Sequence, residues 1–189
     1  TIYEDVFKLQ PGEKISISDG TVNADLYWRL KYKDTPRSLA TLKTECLDSL
    51  KSSVYDAAKG HSPGVFLSGG IDSSTVTGML ANTSESKINS YSIGFECDGY
   101  DEMEYARISS NHFHTNPREY YVTSQDVFEA VPLIINAFDE PFGNASALPS
   151  YFCAKLAADD GLRLVLAGDG GDEIFGGNAR YAHQLKLDL

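Results

Sequence analysis

From residue 64 onward, short aliphatic runs alternate with stretches that have the spacing of amphipathic helices. The candidate strands cover residues 65–67, 88–95, 119–122 and 162–167, and the candidate helices cover residues 73–80, 101–113, 124–138 and 150–158. Strands that alternate with helices in this way form right-handed βαβ units. Continuous apolar strands are typical of parallel sheets covered on both faces. We therefore expect an α/β fold with a doubly wound, mostly parallel sheet.

The N-terminal segment has a different pattern. Residues 13–18 alternate apolar and polar side chains, Asp19-Gly20 follows as a turn, and a second β-rich run covers residues 21–30. Two such runs around an Asp-Gly turn predict a β-hairpin. The pattern changes near residue 31, where we place a boundary between two parts of the chain.

A long amphipathic helix is predicted after this boundary. Thr35 and Pro36 are suitable for the cap and the first residue, because proline at the first helical position loses no needed N–H. The helix is expected to end near Gly60. Apolar residues at spacings of three and four predict its buried face: Leu39, Leu42, Cys46, Leu50, Val54 and Ala57.

Composition excludes several classes of function. The 189 residues include 16 Lys and Arg against 27 Asp and Glu, a formal net charge of −11, which argues against binding to nucleic acid or anionic lipid. No apolar run approaches the ~20 residues of a membrane span. Cys46, Cys97 and Cys153 lie far apart and form no CxxC, so neither a zinc site nor a disulfide framework is indicated. A reducing cytoplasm is the expected location.

The turn after the first parallel strand reads SGGIDSS, at residues 68–74. Its two glycines let the backbone approach an anion closely, and the following helix begins with its positive dipole end. Three serine hydroxyls add donors. Asp72 is unfavourable beside a phosphate unless a divalent cation bridges the two, so the turn predicts a phosphate site with Mg²⁺.

Other motifs fit this turn less well. It has no lysine for a Walker A loop, and the chain has no GxGxxG dinucleotide fingerprint. A hydrolase elbow, GxSxG, would need glycine where Phe66 stands. A serine hydrolase with Ser68 as nucleophile and a plain Gly-Ser turn without a ligand remain as alternatives.

A second glycine-rich turn, GDGGDEIFGG at residues 168–177, follows the last aliphatic run. Several carboxylates in one such turn are costly unless a cation or hydrogen-bond donors neutralise them. The turn is too short for an EF-hand, whose loop needs about twelve residues. A solvated acidic turn is the alternative. Because both turns follow strands of a parallel sheet, we expect them at the edge where ligands bind.

Together the two turns carry a family resemblance. SGGIDSS resembles the pyrophosphate-binding loop of the N-type ATP pyrophosphatases, and GDGGDE-x-FGG narrows the resemblance to the asparagine synthetase family. Residues 92–95, 101–107, 139–142 and 147–151 also resemble that family, as does the hairpin with the last strands of its glutamine amidotransferase domain. The resemblance implies an adenine nucleotide alpha hydrolase-like fold. It implies that residues 1–30 are the end of an amidotransferase domain and residues 31–189 the first part of an ATP-pyrophosphatase domain.

The resemblance also assigns site residues. Those that would hold the pyrophosphate are Ser68, Gly69, Gly70, Asp72, Ser73 and Ser74. Those assigned to the rest of the nucleotide are Leu67 and Ile93 at the adenosine, Gly94 beside them, and Gly168 near the AMP. Asp72 and Asp172 would bind Mg²⁺. Asp169 is the catalytic candidate, because it stands where many members have a glutamate that contacts the acyl-adenylate.

The activity that the resemblance implies is ATP-dependent amide formation. A carboxylate, most simply that of aspartate, would be adenylated with release of pyrophosphate, and ammonia from glutamine would then attack it. The chain begins Thr1-Ile2, without the family's N-terminal cysteine nucleophile, and Lys186 does not match the family's downstream lysine. We therefore expect no glutamine hydrolysis and little turnover by this chain alone.

Alternatives remain open. Relatives that close a β-lactam or a peptide, or that amidate a sugar, share both turns, and a non-catalytic nucleotide-binding module is a further candidate. The expected partners are small molecules, without nucleic acid or membrane, and the resemblance is compatible with a homodimer. For Arg180 and for Asp139-Glu140, a ligand contact and a surface or loop role are both retained.

Overall fold

The computed structural model describes residues 1–31, 36–96 and 101–187. The strands are β1 (Glu13–Ser18), β2 (Thr21–Leu26), β3 (Gly64–Phe66), β4 (Asn89–Phe95), β5 (Asn116–Val122) and β6 (Val165–Leu166). The helices are α1 (Leu39–Ala58), α2 (Ile71–Thr83), α3 (Met103–His112), α4 (Ser124–Ala137), α5 (Ala147–Asp159), α6 (Gly171–Phe175) and α7 (Ala179–Leu187).

The central sheet has four strands in the order β5-β4-β3-β6, and all three of its pairings are parallel. Within this sheet β3 comes first in the chain, and β4 and then β5 are added on one side of it. The chain then returns, and β6 pairs with β3 on its other side. The order therefore reverses between β3 and β6, which is the position where open α/β sheets bind ligands. The expected α/β class with a parallel sheet is confirmed.

Helices cover both faces of this sheet, as predicted. On one face, Val65 packs with Val54 of α1 and Leu80 of α2. On the other face, Tyr91 packs with Cys153 and Ala157 of α5. Side chains alternate along each strand, so each strand supplies both layers of the core.

The N-terminal hairpin is confirmed. β1 and β2 are antiparallel and close at Asp19-Gly20, whose φ values of 48° and 75° suit the primed turns that hairpins prefer. The second strand ends at Leu26 and does not extend to residue 30. Two contacts join the N-terminal segment to the loop after α4: the Tyr3 hydroxyl donates to the Asp139 carbonyl at 3.0 Å, and Lys8 pairs with Glu140 at 2.8 Å.

Helix α1 begins later than predicted. Its N-cap is Ser38, whose hydroxyl accepts a hydrogen bond from the Thr41 N–H, and Pro36 lies before the helix. Thr35 lies outside the described residues. Of the predicted apolar face only Val54 is fully buried, and Leu39 is 69% exposed. The part of α1 that packs in this core lies near its C-terminal end, where Val54 and Ala58 contact the cluster of Val65 and Leu80.

Other boundaries also differ from the predictions, and three of them are instructive. Thr123, not Ser124, caps α4, in a reciprocal capping box with Asp126. β5 starts at Asn116 and not at the predicted residue 119, so the strand includes Pro117. β5 lies at the edge of the sheet, where a strand tolerates a proline. β6 has only two residues, since Leu162 packs against the Tyr91 cluster and does not pair in the sheet.

Within the described part of the chain, no helix combines the length and the apolar character that crossing a bilayer would need. Cys46 and Cys153 are free thiols, half-buried and buried respectively. Cys97 lies outside the described residues.

Candidate active site

The two glycine-rich turns leave neighbouring strands and line one cleft. The first turn follows β3 and the second follows β6, at the point where the strand order reverses. The cleft has a volume of about 500 Å³, and β4, α5 and the start of α3 complete its wall. Asp72, Asp169 and Asp172 all line it.

Glycines allow the two turns to touch. A Cβ added to Gly168 would fall 2.7 Å from the Ser73 nitrogen and 2.8 Å from the carbonyl carbon of Asp72. A Cβ added to Gly171 would fall 2.8 Å from Oδ1 of Asp72, and nearer still to its Oδ2 and Cγ. The second turn therefore packs directly on the start of α2, and only glycine leaves room for the Asp72 carboxylate.

The cleft is strongly acidic. Five carboxylates line it: Asp72, Glu102, Asp169, Asp172 and Glu173. Its described lining includes no lysine, arginine or histidine. A polyphosphate placed here would meet carboxylates and no positively charged side chain of the described lining, so divalent cations would be needed to neutralise its charge.

Hydrogen bonds within the first turn shape its backbone. The Ser68 and Ser73 hydroxyls are hydrogen-bonded to each other at 3.0 Å, and the Gly70 N–H donates to the Ser68 hydroxyl at 3.3 Å. The Ser74 N–H donates to the Gly70 carbonyl at 3.0 Å, which starts the α2 ladder. The N–H groups of the three residues before Ser74 have no acceptor in the helix itself, as at any helix start.

The cleft brings together eight of the twelve residues assigned from the sequence. Those that line it are Leu67, Ser68, Asp72, Ser73, Ile93, Gly168, Asp169 and Asp172. The other four, Gly69, Gly70, Ser74 and Gly94, do not. Gly69 and Gly70 belong to the same turn, whereas Ser74 points its hydroxyl at Ser109 of α3, at 2.8 Å.

Strand alternation explains the position of Gly94. Tyr91, Ile93 and Phe95 share the cleft face of β4, so Gly94 faces the opposite side. There a Cβ on Gly94 would fall 2.6 Å from the Tyr121 ring. A nucleotide in the cleft would therefore meet Ile93 and not the α-carbon of Gly94.

The side chain and most of the backbone hydrogen-bonding groups of Leu67 are already used in contacts within the protein. Its side chain is 1% exposed and packs on Met103 and Ala106 of α3. Its N–H donates to the Tyr91 carbonyl at 2.9 Å, and its carbonyl accepts from the Ser92 hydroxyl at 2.6 Å. Only the second lone pair of that carbonyl remains for a base edge.

Sequence reasoning missed several residues of the cleft wall. Tyr91 and Phe95 could have been found, because they share the alternation of Ile93. Burial raises the pKa of Tyr91 to about 12, and its hydroxyl donates to Asp160 at 3.1 Å. Cys153 comes from α5, and no local pattern places it here; burial raises the pKa of its thiol to about 12.

The residues left open between two roles do not line the cleft themselves. Arg180 pairs at 3.0 Å with Glu173, which does line the cleft, and lies over the Tyr181 ring. Glu140 pairs with Lys8, and the Asp139 carbonyl accepts from Tyr3. The contacts of Asp139 and Glu140 agree with a loop role, whereas those of Arg180 place it beside the cleft.

The contacts of Ser68 do not resemble those of a serine hydrolase. A serine nucleophile needs an adjacent general base, usually histidine. Within the described part of the chain, the Ser68 hydroxyl bonds only to Ser73 and to the Gly70 N–H. The described residues also contain no group of three or more His, Cys, Asp or Glu side chains placed to hold a metal ion by themselves.

Comparison with known proteins gives the family. The family model described as asparagine synthase matches residues 45–189. The chain is 35% identical over 198 residues to putative asparagine synthetase (glutamine-hydrolyzing) 2 of Methanocaldococcus jannaschii, covering 100% of this chain and 37% of that protein. It is 30% identical over 189 residues to asparagine synthetase (glutamine-hydrolyzing) 1 of Bacillus subtilis, covering 99% of this chain and 30% of that protein.

Among solved structures, the ammonia-dependent NAD synthetase from Campylobacter jejuni matches 69% of this chain and 58% of its own, with a TM-score of 0.46 and 15% identity. The chain spans 37% and 30% of the lengths of the two curated relatives named above. The family match covers most of the chain and includes both glycine-rich turns. This chain belongs to the asparagine synthase family.

Proposed function

We propose that this chain provides the ATP-pyrophosphatase site of an amide-forming synthetase of the asparagine synthetase type. In this reaction a carboxylate oxygen, that of aspartate, attacks the α-phosphorus of ATP. The bond to the β-phosphate breaks, and pyrophosphate leaves. Ammonia derived from glutamine then attacks the acyl carbon and releases AMP. The observation that carries the proposal is the contact between the two turns, through Asp72 and Gly171, at one cleft where the strand order reverses.

In this proposal the first turn holds the pyrophosphate part of ATP. Ser68 and Ser73 line the cleft, and Gly69 and Gly70 lie between them in the same turn. The first N–H groups of α2 add donors that face the developing negative charge. Such donors stabilise pyrophosphate as it leaves, because they are already oriented before the reaction.

The carboxylates fit Mg²⁺ bound with the phosphates. Mg²⁺ usually takes one or two protein carboxylates, with substrate phosphates and water as the remaining ligands. Asp72 and Asp172 supply two carboxylates to one cleft, and the contact of Asp72 with Gly171 places the two turns side by side. The ion would neutralise phosphate charge that no described side chain of the cleft can neutralise.

The remaining wall suits the nucleoside and the acyl group. Ile93 offers an apolar surface for adenine, and Gly168, which lines the cleft where it packs against the start of α2, is the residue proposed to lie near the AMP part. Asp169 lines the cleft next to Gly168 and is the candidate for contacting the acyl-adenylate or orienting ammonia. Aspartate is shorter than the glutamate that many members carry, so its reach is smaller.

We also propose the domain division and the setting. The hairpin, within residues 1–30, corresponds to the end of a glutamine amidotransferase domain, and residues 31–189 begin the synthetase domain. Support comes from the family match, which starts at residue 45 and leaves the hairpin outside it. The proposed partners are small molecules, ATP, aspartate and ammonia, in the cytoplasm.

Calorimetry with ATP and Mg²⁺ tests the assigned turn. Asp72→Ala should weaken binding at least ~tenfold, since losing one ligand of the cation costs about 1.4 kcal/mol or more. Asp56→Ala is the matched control, because it removes one exposed carboxylate of α1 and changes the net charge equally. Equal binding by wild type and Asp72→Ala contradicts the role of this turn.

A second assay tests the reaction. Release of pyrophosphate and AMP is followed with ATP, Mg²⁺ and ammonia, with and without aspartate, for this chain and for any longer polypeptide that contains it. Aspartate-dependent AMP supports asparagine formation. AMP that depends on another carboxylate assigns a related amide-forming enzyme, and ATP binding without any AMP favours a non-catalytic module.

A further inference from the structure

Helix α3 contacts the first glycine-rich turn (residues 68–74, here called the phosphate-binding turn) and the residue that precedes it. Before the turn, Leu67 packs its side chain on Met103 and Ala106. Within it, Gly69 has a φ of +85°, and an added Cβ would lie 2.5 Å from Cβ of Tyr105 and nearer still to the Tyr105–Ala106 peptide. The backbone of the turn therefore lies directly on the backbone of α3, at a position that admits only glycine.

The contact at the last residue of the turn, Ser74, is polar. The hydroxyls of Ser74 and Ser109 are hydrogen-bonded at 2.8 Å, in a partly buried position. Ser74 lies in the first turn of α2, and its own N–H donates to Gly70. The side chain of Ser109 is thus bonded to the first turn of α2, whose first N–H groups have no acceptor within the helix and which includes the cleft residues Asp72 and Ser73, although Ser109 itself does not line the cleft.

We propose that Ser109 is a positioning residue for pyrophosphate, acting through Ser74. The inference rests on the proposed function and adds to it a residue outside the two turns. Backbone donors bind an anion well only when their direction is set beforehand, and supporting hydrogen bonds set that direction. The glycine contact fixes the distance of the turn from α3, and the Ser74–Ser109 bond fixes the rotation of the first turn of α2.

The neighbouring serine provides a contrast on the same helix. Ser110 is buried, and its hydroxyl is hydrogen-bonded to Thr115 at 2.7 Å, which in turn bonds to Ser90 at 2.8 Å. This network joins α3 to β4 and does not touch the phosphate-binding turn. Removal of the Ser110 hydroxyl should lower the stability of the fold and leave the turn in place.

The experiment measures two ligands by calorimetry in the full chain: magnesium pyrophosphate and AMP. Ser109→Ala should bind magnesium pyrophosphate about five- to tenfold more weakly, the effect of one lost hydrogen bond, and AMP with unchanged affinity. Ser109→Thr, which keeps a hydroxyl, should restore pyrophosphate affinity. Ser110→Ala should leave both affinities unchanged while lowering the midpoint of urea denaturation. In a Ser74→Ala background, Ser109→Ala should have no further effect.

Each other outcome counts against a specific claim. Unchanged pyrophosphate affinity in Ser109→Ala overturns the inference alone, as does an equal loss in Ser110→Ala, which would show that general stability is responsible. An equal loss of AMP affinity in Ser109→Ala also overturns it. Failure of the wild type to bind magnesium pyrophosphate, ATP or AMP overturns the proposed function and the inference with it.

Discussion

The carboxylate of Asp72 lies directly against Gly171, so that a Cβ on Gly171 would come within 2.8 Å of Oδ1 and nearer to Oδ2. Gly171 does not have a positive φ. The requirement for glycine there is one of space and not of backbone conformation. One turn thus leaves room for the acidic side chain of the other, and this contact sets the shape of the cleft.

Gly171→Ala tests that contact. The added methyl should displace the Asp72 carboxylate and weaken binding of ATP with Mg²⁺ at least ~tenfold, about 1.4 kcal/mol, as measured by calorimetry. Gly143→Ala is the matched control, because a Cβ there meets nothing within 4 Å and the residue has no positive φ. If both variants bind like the wild type, the contact does not control the site.

Gly69→Ala tests the packing of the first turn on α3. A left-handed φ costs an alanine roughly 1–2 kcal/mol at either Gly69 or Gly60, whose φ values are +85° and +77°. Only Gly69 has α3 backbone in the way, so Gly69→Ala should cost about 1–3 kcal/mol more than Gly60→Ala in urea denaturation. Equal costs would show that the turn can move away from α3 freely.

Asp160→Asn tests the acid stability of the fold. Hydrogen bonds from Arg118, at 2.7 and 2.8 Å, hold the pKa of Asp160 below its ordinary value. A carboxyl group whose pKa is lower in the folded state than in the unfolded state stabilises the fold. This contribution is complete above the unfolded pKa of about 3.9, and it is lost as the pH falls through the pKa of the folded state.

The expected result follows from that sign. Between about pH 5 and about pH 2, the wild type should lose more stability than Asp160→Asn, as measured by urea denaturation at several pH values. Asp159→Asn is the control, because Asp159 pairs with Lys155 on the exposed surface of the same helix. Parallel pH curves for wild type and Asp160→Asn would contradict the role of the Arg118 pair.

Leu80→Ala tests where the core lies. Leu80 is 1% exposed and packs with Val54 and Val65, so its truncation should cost about 2–5 kcal/mol through lost burial and a residual cavity. Ile71, on the same helix, is 86% exposed, and Ile71→Ala should stay within about 0.5 kcal/mol. Denaturation curves for the two variants check this, and similar costs would contradict the described core.

Much of the fold was predictable because its signals are local. Alternation of aliphatic strands and helices gave the parallel sheet, and the Asp19-Gly20 turn gave the hairpin. The errors lie at the ends of helices and strands, where a neighbouring residue can take the same role. For example, Ser38 caps α1 in place of the predicted Thr35. The sequence predicts Leu162 as part of a strand, yet in the structure it packs against the Tyr91 cluster and lies outside the two residues of β6.

For the candidate site, the sequence predicts which residues lie near the cleft better than it predicts where their side chains point. The two glycine-rich turns are conspicuous in the sequence because several carboxylates close together are costly unless a cation or hydrogen-bond donors neutralise them. Their assignment to ATP and Mg²⁺ stays a prediction. The resemblance assigns Ser74 and Gly94 to the ligand, which stays a prediction; in the structure the Ser74 hydroxyl bonds to Ser109, and a Cβ on Gly94 would meet the Tyr121 ring.

Periodicity, turn chemistry and two motifs are thus enough to specify the α/β class, the family resemblance and eight of the residues that line the cleft. Packing between distant segments decides the rest: that Asp72 meets Gly171, that Tyr91 and Cys153 join the wall, and that α3 supports the first turn. The physical reason is that hydrogen bonding and hydrophobic spacing act over a few residues, whereas steric fit depends on which strands become neighbours in the sheet.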